Sequence, residues 1–162
     1  MFKRKSRPAN APDLTSDEAL SKLEQFCLFR ERCSSEVWEK IRELRLSKDL
    51  GDELFEVLKN DRFFDDQRFA EIFARGKFRS NQWGKIRIKM ELNMRKISPA
   101  IVAHALDSID PEAYEETLRT LVHKKMQQWQ DDPQARQKAA ASVIRAGFES
   151  DLVFAAVKNI EP

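Results

Sequence analysis

The chain has 162 residues, 41% hydrophobic and 35% charged, with four glycines and six prolines. That is enough apolar matter for a packed core, and too few turn formers for a many-stranded sheet, so the expected class is all-α. Cys27 and Cys33, with no second pair or histidine cluster, exclude a disulfide framework and a zinc site and read as reduced thiols; no apolar run approaches the roughly 20 residues that span a bilayer, and the basic start leads into no signal core, so a cytoplasmic protein is expected.

Residues 1–13 are polar, basic and proline-containing and bury too little to order themselves, so they are expected to form a flexible tail. Helix punctuation begins at Thr15, where Glu18 completes a capping box. Later starts are marked by Ser34 or Ser35 and by a capping residue before proline at Ser98-Pro99, Asp110-Pro111 and Asp132-Pro133. These marks predict nine helices, at about 15–30, 35–46, 51–60, 65–80, 83–96, 99–108, 111–130, 133–146 and 150–159. On the seventh, Tyr114, Leu118, Leu121, Val122 and Trp129 form one apolar stripe.

Residues 86–111 lie over 137–162 without a gap: Arg87 meets Lys138, Leu92 meets Val143, Ile97 meets Phe148 and Ala105 meets Ala156. Trp38 to Leu58 makes a looser third copy. The nine helices therefore group as three tandem three-helix repeats, 14–61, 62–109 and 110–162, expected to form a short, elongated or curved array in which neighbours share core surface.

The net charge of +2 is unevenly spread. Residues 62–96 carry ten basic and four acidic side chains, between stretches in which acids prevail. Such an island attracts phosphates or a carboxylate-rich protein surface over about a Debye length. On the fourth helix Arg68, Arg75 and Arg79 share a face. On the fifth, Lys85, Lys89 and Lys96 do so, while Trp83, Ile86, Met90, Met94 and Ile97 form an apolar stripe expected to face the core. Ile88 and Leu92 fall beside the lysines, as a second packing partner would require. Phe64, Phe69, Trp83 and Leu92 are expected in the core, and Asp66 and Arg68 are expected to pair or cap locally.

Three blocks in this island carry a resemblance. Phe63-Phe64-Asp65-Asp66-Gln67-Arg68-Phe69-Ala70, then Trp83-Gly84-Lys85-Ile86-Arg87-Ile88-Lys89-Met90-Glu91-Leu92, then Lys96-Ile97-Ser98 closely resemble the signature of the bacterial RecX family. The resemblance covers roughly residues 15–160 and is strongest over 62–110. It implies tandem three-helix repeats that bind the RecA recombinase, lie in the groove of its filament on single-stranded DNA, and restrain its growth and activities in recombination and repair. One departure is Arg95-Lys96, where many members place a Lys-Gly or Arg-Gly turn, which puts the exit from the fifth helix in question.

The expected contact residues are Arg68, Arg75, Lys77, Arg79, Lys85, Arg87, Lys89, Arg95 and Lys96. Their target is a RecA filament, with single- or double-stranded DNA phosphates as the alternative, since arginine forks suit carboxylates and phosphates alike. No phosphate-cradling loop or paired metal-ligand motif occurs, and His104 and His123 stand apart from any nucleophile. The expectation is a monomer with no enzyme activity, no cofactor and no membrane partner.

Overall fold

The computed structural model describes residues 14–160; the tail expected over 1–13 lies outside them. Nine helices and no strand occur among the described residues: α1 Ser16–Phe29, α2 Ser34–Glu43, α3 Lys48–Asn60, α4 Asp66–Asn81, α5 Lys85–Met94, α6 Pro99–Asp107, α7 Pro111–Gln128, α8 Ala135–Arg145 and α9 Ser150–Lys158. Consecutive triplets pack among themselves, giving the all-α fold of three-helix repeats that the offset predicts.

Cap chemistry places most of the starts. The Thr15 amide donates to the Glu18 carboxylate at 2.9 Å and the Glu18 amide donates to the Thr15 hydroxyl at 3.2 Å, the predicted reciprocal box. Ser98 and Asp110 accept from Ile101 and Glu112 amides at 3.4 and 3.2 Å. Three starts differ from expectation. Cys33, not a serine, is the residue before α2, and its amide donates to Glu36 at 3.4 Å. Helix α3 begins earlier, because the Ser47 hydroxyl accepts from the Leu50 amide at 3.3 Å and Gly51 continues the helix. Asp132 accepts from the Gln134 amide at 2.8 Å within a turn, so α8 starts only at Ala135.

The chain divides into two compact units, one ending at Phe64 and one beginning at Asp65. The first holds α1–α3 around Ala19, Leu23, Val37, Ile41, Leu54 and Leu58, and Trp38 stacks on Phe55 with centroids 4.3 Å apart. Cys27 and Cys33 are buried and unbonded to each other, and burial pushes the Cys27 thiol up to about 11, which keeps it protonated and unreactive near neutral pH.

The second unit holds two repeats. Their middle helices, α5 and α8, and their last helices, α6 and α9, end 51 residues apart, and α2 in the first unit precedes α5 by the same interval. Equivalent positions share burial: Val37, Ile88 and Ala139 are all buried, as are Ile41, Leu92 and Val143. Each middle helix also exits through a left-handed residue at one repeat position, Arg45, Lys96 or Gly147, with φ of 57°, 60° and 100°. The exit from α5 is therefore the same turn as its counterparts, made without glycine.

One expectation is overturned. Ile86, Met90 and Met94 are 53%, 55% and 62% exposed, and the core side of α5 is Ile88 and Leu92. At about 100° per residue the two apolar sets lie on opposite sides of the helix, so periodicity alone does not choose between them. Packing against α4 and α6 does.

Candidate binding surface

The basic helices are positioned by a joint between the two repeats of the second unit. The N-cap of α5 is Gly84, which offers no side chain to the first amides. The third repeat supplies the acceptors: the Lys85 amide donates to the Tyr114 hydroxyl at 2.9 Å, and the Ile86 amide donates to the Gly147 carbonyl at 3.0 Å. The Gly84 amide in turn donates to the Ala146 carbonyl at 2.9 Å. Backbones approach so closely that a Cβ on Gly84 would sit 2.1 Å from the Gly147 carbonyl carbon, and one on Gly147 would sit 2.3 Å from Arg87 Cβ. Tyr114 completes the joint by donating to Glu149 at 2.6 Å and packing between Phe78 and Phe148, at 5.6 and 4.9 Å between centroids. Burial and the Glu149 contact hold its phenol well above the usual tyrosine range.

Around α4 and the start of α5, two half-buried rings collect three cations. Phe73 follows Phe69 by one turn, with centroids 5.7 Å apart, and meets Trp83 edge-on at 6.5 Å. The Lys77 ammonium lies 5.5 Å from the Phe73 centroid and 4.9 Å from that of Trp83. The Arg87 guanidinium lies 4.0 Å over Trp83, and that of Arg95 lies 4.9 Å over Phe73 while pairing with Glu91 at 2.8 Å. Stacking uses the flat face of a guanidinium and leaves N–H edges for carboxylates or phosphates. Trp83, expected in the core, is half-buried because it serves as the platform for these charges.

The nine expected contact residues thus fall into four groups. Lys77, Arg87 and Arg95 converge on the aromatic pair. Arg68, Arg75 and Arg79 lie on the side of α4 away from Phe69, Ala74 and Phe78, around exposed Ile72. Arg75 there shares Glu71, at 3.7 Å, with His104 of α6, at 3.2 Å. Lys89 and Lys96 are exposed, like Arg79. Lys85 belongs to the joint, its ammonium 5.0 Å from the Tyr114 ring. Arg68 also gives its amide to the Asp65 carboxylate at 2.8 Å, so Asp65 is the cap of α4.

Phe73 and the Tyr114 hydroxyl were not anticipated. Phe73 sits one turn from both Phe69 and Lys77, a spacing that marks a ring with a cation beside it. Tyr114 is the single tyrosine of the chain, and its stripe position reveals burial but not its partners. No group of three histidine, cysteine, aspartate or glutamate side chains among the described residues is placed to hold a metal ion. No helix among them is long and apolar enough to cross a membrane.

Comparison with known proteins gives the repeats a family. The model for the RecX second three-helix domain matches residues 65–106, and that for the RecX third three-helix domain matches 112–157, together more than half of the chain. The regulatory protein RecX of Oceanobacillus iheyensis is 24% identical over 160 residues, covering 90% of this chain and 59% of that protein. That of Bacillus cytotoxicus is 27% identical over 127 residues, covering 77% and 47%. The chain thus spans between about half and three fifths of the length of these curated relatives. A crystal structure of regulatory protein RecX shares the fold with a TM-score of 0.80 at 20% identity, over 90% of this chain and 73% of the other. RecX from Lactobacillus salivarius does so with 0.80 at 21%, over 88% and 94%.

Proposed function

The chain belongs to the RecX family, and from that premise we propose that it is a non-enzymatic cytoplasmic inhibitor of RecA. Its relatives bear the name of regulatory proteins, so a regulatory role of the RecX kind follows. On our reading it acts as a monomer, binds the RecA filament on single-stranded DNA, and limits filament growth and recombination. Residues 1–13 are the tail, and 14–61, 62–109 and 110–162 are the repeats.

The observation that carries the reading is the convergence of Lys77, Arg87 and Arg95 on Phe73 and Trp83. A cationic surface on a packed aromatic base loses little side-chain entropy when it meets an acidic protein surface or a phosphate. The contact set is Arg68, Arg75, Lys77, Arg79, Lys85, Arg87, Lys89, Arg95 and Lys96, of which Lys85 also holds the joint.

The test is the single-stranded-DNA-dependent ATPase of RecA at amounts of this protein well below those of RecA. Inhibition is expected; unaltered ATPase would sink the reading. The row of Arg68, Arg75 and Arg79 on the outer side of α4 also suits a DNA-binding module that works without RecA. That alternative predicts oligonucleotide affinity falling by about 0.7–0.9 logarithmic units per phosphate contact for each tenfold rise in salt, and no effect on RecA beyond competition for DNA.

A further inference from the structure

The exposed stripe of α5 lies opposite the side that this helix buries. Its side chains, Ile86, Met90 and Met94, recur every fourth residue and cover about 12 Å, or two turns. The chain contains its own controls, because the same positions exist in the other two middle helices. They are Ser35, Glu39 and Glu43 in α2 and Gln137, Ala141 and Arg145 in α8. The opposite, buried side is apolar in all three helices. A fold that needs only one apolar side of its middle helix therefore carries two in the second repeat alone.

Charge says what the stripe suits. By helical geometry Arg87 borders it on the Trp83 side and Lys89 on the other. Glu91, the acid of this helix, lies as near the stripe as Lys89 does, but it is half-buried and its charge is tied to Arg95 at 2.8 Å. Beside Ile86 and Lys89, a groove between α5 and α6 is lined by Val102, Ala103 and Leu106, with Asp107 and the Tyr114-bonded Glu149 also on its wall. An apolar strip with cationic borders complements a helix whose own apolar strip has acidic borders. A sugar-phosphate backbone would use the charges and leave the methionines in water. A second copy of this surface would set like charges against each other. Methionine, unbranched and polarizable, adapts to an incoming side-chain pattern.

We infer that Ile86, Met90 and Met94 dock an amphipathic, acid-bordered helix of a protein partner. The inference rests on the reading of a RecA filament as the target and names the surface that meets it. The experiment is methionine footprinting of the full chain by brief peroxide treatment and mass spectrometry, with Met126 of α7 as internal reference. It is run free, with single-stranded DNA, and with RecA filaments on that DNA, alongside the ATPase assay. Met90 and Met94 are expected to oxidise at least fivefold more slowly on the filament and at the free rate on DNA alone. Inhibition with both methionines unprotected overturns the stripe and spares the function. Protection by DNA alone, or protection that grows with this protein's own concentration, overturns it in favour of a nucleic acid or a second copy. Absence of inhibition overturns both. A second arm carries Ile86→Gln with Met90→Ala, the residues of the third repeat; it is expected to keep oligonucleotide affinity and lose about tenfold in inhibition, and undiminished inhibition counts against the stripe.

Discussion

Tyr114 has one hydroxyl and two obligations, accepting from the Lys85 amide and donating to Glu149. Its phenol titrates above the ordinary value of 10 because burial and the Glu149 contact disfavour the phenolate. For a group whose folded value is raised, the stability is fully present below the unfolded value and is lost as pH rises through and beyond about 10. The expected outcome is an alkaline loss of stability in the wild type that is reduced in Tyr114→Phe. At pH 7 the same variant loses about 1–2 kcal/mol in urea unfolding, because a buried amide and Glu149 forfeit a partner. Equal alkaline slopes in the two proteins would remove Tyr114 from the joint. None of this was legible beforehand, since apolar periodicity shows that a tyrosine is buried and says nothing of what its hydroxyl meets 29 and 35 residues away.

Elements were read well where their termini carry local chemistry. Thr15, Ser98 and Asp110 act through amides two or three residues on, so the signal and its consequence sit in one short window. The orientation of α5 was misread because both of its sides are apolar. The deciding information lies in the neighbouring helices α4 and α6 that pack against it. The candidate cations stand out in the sequence as a charge island, but periodicity does not separate those stacked on Phe73 and Trp83 from the row on the outer side of α4. The exit turns of the middle helices yield a prediction of their own. Lys96, at φ 60°, occupies a backbone region in which a Cβ costs about 1–2 kcal/mol. Lys96→Gly is therefore expected to raise stability by about 0.5–1 kcal/mol after the entropy cost of glycine, read as a higher urea midpoint at unchanged slope. A lower midpoint would show that the lysine side chain itself anchors the turn.

At the scale of the molecule, the 51-residue register made the tandem repeats legible, because equivalent core positions keep their apolar character even where identity has gone. It did not reveal that the second and third repeats share a joint, which is made by backbone atoms and by two glycines that a hydropathy pattern does not register. A fragment of residues 65–162 is expected to keep the helicity of α4–α9 by circular dichroism. A fragment of residues 65–110 should fall well short of its share, since α5 then has no acceptors for its first amides. Equal helicity per residue in the two would show that the second repeat stands alone.

That borrowed start has a thermodynamic corollary. Fraying of α5 and opening of the link between α8 and α9 break the same hydrogen bonds, Ile86 to Gly147 and Gly84 to Ala146, so they are one event with one free energy. Whatever binds α5 must then slow amide exchange at the α8–α9 link by the factor it gains in occupancy. By reciprocity, a substitution at Gly147 that eases opening lowers affinity for a ligand it does not touch. The third repeat is in that sense an allosteric handle on the second.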